Sequence, residues 1–277
     1  MNRIEGRYIS LLTDFGFMRI FGTKPNKDLL INFLNSLFEG FQVIKDVKYL
    51  NSEHVGDVFA ERKPIFDVYC ENEKGEKFIV EMQNASIFPI CEDAPKGADW
   101  NFKLDHVYIV ALLNFDLEVE AFDKNDINHD VGLLDKKTHK VFNDKLSFKY
   151  VEIAKFDKTE DELVTLYDKW LYVLKNLSRL DERPAALKEK VFTKLFEEAE
   201  IAKFTPTELK EYEDSLKAYR DIKNSIDTAL EEGREEGRAE SKNLKVIQIA
   251  KKMLAAGMDI DTIINMTDLS KSEIEKL

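Results

Sequence analysis

Two apolar stretches on either side of a short charged turn decide how this chain folds: PIFDVY at residues 64–69 and FIVEMQ at residues 78–83. Successive side chains along such a stretch point to opposite faces of a β-strand. The turn between them contains EKG at residues 73–75, and a three-residue hairpin loop needs a left-handed residue last, a position that Gly75 fills. The sequence therefore predicts an antiparallel hairpin.

The register of this hairpin brings acidic side chains together. A three-residue loop pairs Asn72 with Glu76, which places Asp67 opposite Glu81. Directly opposed side chains lie about 5 Å apart on the same face of the sheet. Two carboxylates at that separation repel each other unless a cation lies between them, and a divalent metal ion is the usual one. Gln83 shares the face of Glu81 because strand side chains alternate.

Length, charge and cysteine content limit the class of protein. The 277 residues, 44% of them hydrophobic, suffice for one large domain or for a core domain with appendages. A net charge of −12 argues mildly against nonspecific coating of nucleic acid, but it allows a nuclease whose metal or basic patch holds phosphate. The two cysteines, Cys70 and Cys91, form no CxxC pair, and no leader or membrane-length apolar run is present, which predicts a cytoplasmic protein without membrane association.

The elements around the hairpin predict an α/β fold. Residues 107–113 (VYIVALL) are apolar on both faces, which is typical of a central strand covered by helices on both sides. The other elements predicted in this half are helices over 15–21 and 27–40 and strands over 44–50, 131–134 and 146–153.

The chain after residue 156 is predicted to be helical. Capping boxes, Thr159 with Glu162 and Thr205 with Glu208, mark two helix starts. The stretch EEGREEGRAE at 231–240 reads as a solvated helix or a hinge. The predicted helices cover 163–177, 184–201, a charged segment from 206, and short helices over 244–255, 260–266 and 271–277. The last three are compatible with a helix-turn-helix.

This order of elements matches the common core of PD-(D/E)XK nucleases, in which an aspartate strand is followed by a Glu-x-Gln or Glu-x-Lys strand. The closer resemblance is to the Rpn family of bacterial recombination-promoting nucleases, also described as PD-(D/E)XK family transposases. The stretches that resemble this family are TDFGFMRIFG (13–22), NKDLL (26–30), FDV (66–68), IVEMQ (79–83) and DWNF (99–102). The resemblance extends from about Tyr8 to the C-terminus.

The resemblance implies a restriction-endonuclease-like α/β fold, with a mixed sheet flanked by helices and an all-helical C-terminal region. The expected regions are a nuclease-like core (1–156), a helical extension (157–230) and a charged hinge with a small helix-turn-helix-like tail (231–277). DNA is the implied partner. Homo-oligomerisation through the helical C-terminal region is a further option.

The implied activity is metal-dependent DNA endonuclease cleavage, which hydrolyses phosphodiester bonds and promotes recombination. The implied catalytic residues are Asp67, Glu81 and Gln83. Asp67 and Glu81 would hold Mg²⁺ or Mn²⁺, and Gln83 would orient the attacking water. Asp14 is an accessory candidate, although capping of the first helix is its preferred role.

Two departures from the family pattern support an alternative. Met18 stands where the family usually carries lysine, and only residues 84–87 separate the Glu-x-Gln strand from Phe88-Pro89, where the family carries a helix with an arginine. The alternative hypothesis is a catalytically impaired nuclease-fold protein that acts as a DNA- or protein-binding module.

Overall fold

The computed structural model describes residues 6–50, 68–83, 106–117, 119 and 121–277. Within these ranges six strands form one mixed sheet, which confirms the expected α/β class. The strands are β1 (Val47–Tyr49), β2 (Val68–Asn72), β3 (Lys77–Gln83), β4 (Val107–Leu113), β5 (Asn128–Leu134) and β6 (Val141–Glu152). Their spatial order is β1-β2-β3-β4-β6-β5, with β3, β4 and β6 parallel and the outer pairs antiparallel.

Helices precede and follow the sheet along the chain. They are α1 (Asp14–Phe21), α2 (Lys27–Leu37), α3 (Leu166–Asn176), α4 (Lys190–Glu198), α5 (Pro206–Ala255), α6 (Ile260–Thr267) and α7 (Lys271–Ile274). None of the helices in the described part of the chain is both long and apolar enough to cross a bilayer.

The β2–β3 hairpin has the predicted register. The Asn72 amide donates to the carbonyl oxygen of Glu76 at 2.9 Å, and Gly75 adopts φ +80°, as the loop requires. Val68 lies opposite Val80, and the pairing continues without a slip to the turn. The prediction of the turn and register is therefore confirmed over the described part of the hairpin.

The two faces of the sheet differ in what covers them. Side chains such as Val80 and Cys70 enter the main core beneath the helices, whereas Tyr69 and Ile79 join a small apolar cluster on the other face. The strand β4 is central and buried on both sides, as predicted for residues 107–113. In the described part of the chain, helices cover only its main-core face, and the small cluster on the other face has no helical residue. Burial raises the pKa of the Cys70 thiol to about 12.

Trp170 ties the later helices to the core. Its ring lies 5.6 Å from Phe21, 5.5 Å from Phe33 and 5.1 Å from Phe192 between centroids. The indole N–H donates to Oδ1 of Asn32 at 2.8 Å. One hydrophobic core is therefore shared by helices that precede the strands in the chain, α1 and α2, and by helices that follow them, α3 and α4.

The first helix is capped by Thr13, not by Asp14. The Thr13 hydroxyl accepts a hydrogen bond from the Gly16 amide at 3.1 Å, and Asp14 is the first helical residue and exposed. Gly16 is required because a Cβ atom there would lie 2.0 Å from the carbonyl oxygen of Ser10. The expected capping role of Asp14 is thus wrong. Threonine at N-cap presents its oxygen to the free amides of the first turn, and Asp14 adds a favourable charge there.

Two predicted helix starts are displaced. The Thr159–Glu162 capping box caps only one 3₁₀ turn, and α3 begins at Leu166 behind a second box formed by Thr165 and Asp168. Pro184 does not open a helix: α4 begins at Lys190 instead. The Thr205–Glu208 box opens α5 as predicted, and α5 continues as helix through 231–240.

The chain divides into two compact units, Met1–Ile222 and Lys223–Leu277. The second unit has its own small core, formed by Ala250, Met253, Ile263, Leu269 and Ile274. The finer division into three regions stays a prediction.

We predict that Trp170→Ala lowers the free energy of unfolding by roughly 3–5 kcal/mol, because it removes the largest fully buried side chain from the shared core. Urea unfolding followed by circular dichroism at 222 nm measures this loss. The control is Val164→Ala, at a side chain that is 83% exposed, which we expect to change stability by less than about 0.5 kcal/mol. Equal losses in the two variants would contradict the shared core.

Candidate active site

Glu81 lies near the carboxyl end of β3, where the parallel strands of the sheet finish side by side. It is opposite Ala111 of β4 and only 8% exposed. By strand alternation it shares the face of Tyr69 and Ile79, on the other side of the sheet from the helical core. A carboxylate so far removed from water is costly unless hydrogen bonds or a cation compensate it.

The other predicted site residues are placed less completely. Asp67 lies outside the described residues; its neighbour Val68 is the first residue of β2 and lies opposite Val80. Gln83 ends β3, with its backbone opposite Leu113. Asp14 lies in the first turn of α1, which packs on the main core.

The oxygen-donor character of the predicted pair suits a hard divalent cation such as Mg²⁺. Within the described ranges, no three His, Cys, Asp or Glu side chains are grouped as a metal site. Since Asp67 lies outside those ranges, the predicted metal pair stays a prediction.

A second carboxylate, Glu152, lies at the same edge of the sheet. It ends β6 opposite Leu113, which in turn lies opposite Gln83. Its side chain is fully buried and accepts hydrogen bonds from His129 Nε2 at 2.7 Å, Lys155 Nζ at 2.8 Å and the Leu117 amide at 2.6 Å. We call Glu152, His129 and Lys155 the Glu152 cluster.

The Glu152 cluster holds an ionised carboxylate in the interior. Burial by itself would raise the pKa of Glu152, but the hydrogen bonds from Lys155, the Leu117 amide and His129 outweigh it and hold the pKa below its ordinary value. The ring of Phe122 stacks on His129 with centroids 4.0 Å apart. The cluster thereby fixes the segment that follows β4 beside the carboxyl ends of the strands.

Reasoning from the sequence missed this cluster. Glu152 is 23 residues from His129 and 35 residues from Leu117, so no local spacing connects them. An ionisable residue at the end of an apolar strand was the one available signal.

The fold, a mixed sheet with helices on the main core face and a buried glutamate near the end of a parallel strand, is that of a nuclease of the PD-(D/E)XK class. Residues 11–229 match the sequence model of the PD-(D/E)XK nuclease family transposases, and the chain belongs to this family. Residues 243–277 match the C-terminal helix-turn-helix domain of the Rpn/YhgA-like nuclease family, which places the chain among the Rpn-type members and confirms the resemblance. No curated protein and no solved structure is significantly similar to the chain.

The matched C-terminal domain has well-capped helices. Asp259 caps α6 by accepting from the Thr262 amide at 2.9 Å, and Ser270 forms a capping box with Glu273 before α7. Gly257 adopts φ +75° at the end of α5. The end of α5 followed by α6 and α7 thus forms the predicted helix-turn-helix arrangement.

We predict that Glu152→Gln lowers the free energy of unfolding by roughly 3–5 kcal/mol at pH 7, because it leaves Lys155 and His129 without their shared anion. The folded-state pKa of Glu152 lies below its unfolded value, so this stabilisation is present above the unfolded pKa and is lost as pH falls through the folded one. The difference between wild type and variant should shrink below about pH 4.

Urea titrations at several pH values measure that difference. Glu197→Gln, at an exposed position of α4, is the matched control and should change stability little at any pH. A pH-independent loss in Glu152→Gln would show that packing, not the ionised carboxylate, accounts for the effect.

Proposed function

We propose that this protein is a metal-dependent endonuclease that hydrolyses DNA phosphodiester bonds at Asp67, Glu81 and Gln83. The observation that supports this most directly is the register of the β2–β3 hairpin. Because Val68 lies opposite Val80, continuation of the same register by one residue gives the pair Asp67 and Glu81. Membership of the nuclease family supports the same site.

The site residues have separate tasks in the proposed reaction. A bound Mg²⁺ or Mn²⁺ supplies polarisation of the phosphate and a lowered pKa of the attacking water. Asp67 and Glu81 would provide the anionic oxygens that hold this cation. Gln83 has a neutral amide, so it orients water or phosphate by hydrogen bonds but does not remove a proton as a strong base.

DNA is the proposed substrate and partner. The helix-turn-helix of residues 243–277 supplies a contact with the duplex in addition to that of the nuclease core. Cleavage of a duplex by such an enzyme creates the broken ends from which recombination starts. Association of two copies through the helical C-terminal region stays a prediction, which light scattering of the full chain would check.

Met18 bears on the alternative of an impaired nuclease. Its side chain is half-buried and packs against the main core, which lies on the other side of the sheet from the face that carries Glu81. Methionine in place of the usual lysine therefore removes no charge from that face. This placement removes one of the two arguments for a nuclease-fold binding module; the other, the short segment 84–87, lies outside the described residues.

We predict that Asp67→Ala and Glu81→Ala each slow Mg²⁺-dependent nicking of supercoiled plasmid by about 100-fold or more, because each removes an anionic ligand. Gln83→Ala should reduce the rate less, since it removes only hydrogen bonds. Agarose gels of timed digests and calorimetric titration of Mg²⁺ provide the two readouts.

The matched control is Glu71→Ala. Glu71 is a carboxylate of β2 on the same face as position 67, but it lies opposite Lys77 near the turn. We expect normal nicking and normal Mg²⁺ binding from this variant. Nicking at equal rates by wild type and Asp67→Ala would remove the assigned site, and DNA binding without any nicking by wild type would favour the impaired-nuclease alternative.

A further inference from the structure

The β5–β6 hairpin extends past the rest of the sheet. The strand β4 begins at Val107, opposite Leu146, so the preceding residues of β6 pair with β5 and have no partner in β4. We call this two-stranded extension, residues 133–145, the ribbon. The strand predicted over 146–153 starts five residues later than β6, so the ribbon lies outside the predicted strands on that side.

The turn at the end of the ribbon is held by its own hydrogen bonds. Oδ1 of Asp135 accepts from the Thr138 amide at 2.6 Å and from the Thr138 hydroxyl at 2.7 Å. The Asp135 amide donates to the carbonyl oxygen of Lys140 at 2.9 Å, and His139 adopts φ +55°. The Asp135 carboxylate is thus hydrogen-bonded within the turn, and these bonds fix the backbone that carries the neighbouring lysines.

The turn is strongly basic in an acidic protein. Residues 136–140 (KKTHK) contain Lys136, Lys137 and Lys140 and no acid, whereas the whole chain carries a net charge of −12. All three lysines are exposed. None of them forms an ion pair with a carboxylate in the part of the chain that the structure describes.

Apolar side chains accompany these lysines. Phe142 is 79% exposed, Val141 66% and Leu134 55%, and all three lie on the ribbon beside the turn. Leu134 and Val141 lie opposite each other and share one face of the ribbon, whereas Phe142 lies on the other face. Large apolar side chains grouped at the surface mark a contact with another molecule. The combination of apolar and cationic side chains identifies a partner that has both apolar and anionic surfaces.

We propose that the ribbon binds duplex DNA in the major groove, with the turn lysines on phosphates and Phe142 against the base edges. The major groove admits a two-stranded β-ribbon, and it presents thymine methyl groups beside the phosphates. The proposal shares its DNA partner with the proposed nuclease function and rests on it to that extent. It assigns a contact surface that neither the catalytic residues nor the helix-turn-helix contains.

The position of the ribbon sets where on the duplex it acts. Across the sheet, Glu81 lies opposite Ala111, and Ala111 lies opposite Tyr150 of β6. The strand β6 begins at Val141, nine residues before Tyr150. At about 3.3 Å per residue, Val141 at the end of β6 next to the turn lies about 30 Å from Glu81 along the strand direction. At 3.4 Å per base pair this is about nine base pairs, so the ribbon contacts DNA that flanks the cut.

A second copy of this chain fits the ribbon less well than DNA does. A two-fold contact through the ribbon would bring two lysine-rich turns toward each other, and like charges at an interface oppose association. By contrast, each lysine that neutralises a DNA phosphate releases counterions, and this release strengthens binding.

The test measures binding without cleavage. Fluorescence anisotropy of a labelled 30-base-pair DNA duplex in EDTA, at several salt concentrations, compares wild type with the triple variant Lys136→Gln, Lys137→Gln, Lys140→Gln. The slope of log affinity against log salt concentration should fall in magnitude by about 3 in the triple variant, at about 0.9 per lost phosphate contact. Because EDTA prevents metal-dependent cutting, this result is independent of nuclease activity.

The matched control removes the same charge elsewhere in the same unit. Lys188→Gln, Lys210→Gln, Lys217→Gln replaces three exposed lysines outside the ribbon, and its salt slope should equal that of wild type. An equal fall in both triple variants would show a general charge effect and overturn the proposal, as would an unchanged slope in the ribbon variant. If the ribbon variant loses slope while wild type fails to nick plasmid, the nuclease assignment fails and the ribbon assignment stands.

Phe142→Ala supplies a second, uncharged readout. It should weaken DNA binding several-fold and leave the salt slope unchanged, since it removes no phosphate contact. An RNA duplex of the same sequence should bind with no dependence on Phe142, because the major groove of A-form RNA is too narrow for side chains. A concentration-dependent dimer that Phe142→Ala abolishes, with DNA binding intact, would assign the ribbon to a second copy of the chain and overturn the proposal.

Discussion

The hydrogen-bonded turn at Asn72 and Glu76 is the constraint on which the candidate site depends. Side chains alternate along a strand, so a slip of one residue in the β2–β3 pairing would carry Glu81 or its opposed partner to the other face. Gly75 prevents that slip by adopting a conformation that other residues disfavour, which fixes the loop at three residues. The same register sends Val80 and Cys70 into the main core, so correct packing and correct placement of the acidic face are selected together.

The sequence predicted the elements whose signals are local. The loop glycine gave the hairpin register, the apolar run at 107–113 gave the central strand, and the Thr205–Glu208 box gave the start of α5. It failed where two local signals compete: Thr159 and Thr165 both offer capping boxes, and only the second precedes a helix that can bury Trp170. The start of α4 failed for a related reason, because Pro184 permits a helix without requiring one.

Long-range contacts explain the rest of what the sequence could not show. Glu152 is buried with its charge because partners from distant parts of the chain, His129 and Leu117, reach it only in the folded sheet. The ribbon was missed because its strand pairs on one side alone, and its alternation is interrupted by register shifts near Gly132. Of the candidate site, the sequence and the hairpin give the residue types and the register, and the family match gives the nuclease class. Asp67 itself lies outside the described residues.

The depth of Cys70 has a practical consequence. Only the thiolate reacts with alkylating reagents, and the buried thiol, with its pKa near 12, forms almost none at neutral pH. Modification of Cys70 therefore requires the sheet to separate from the helices that cover it. The rate at which Cys70 is alkylated, followed by mass spectrometry, would therefore report how often the interior opens.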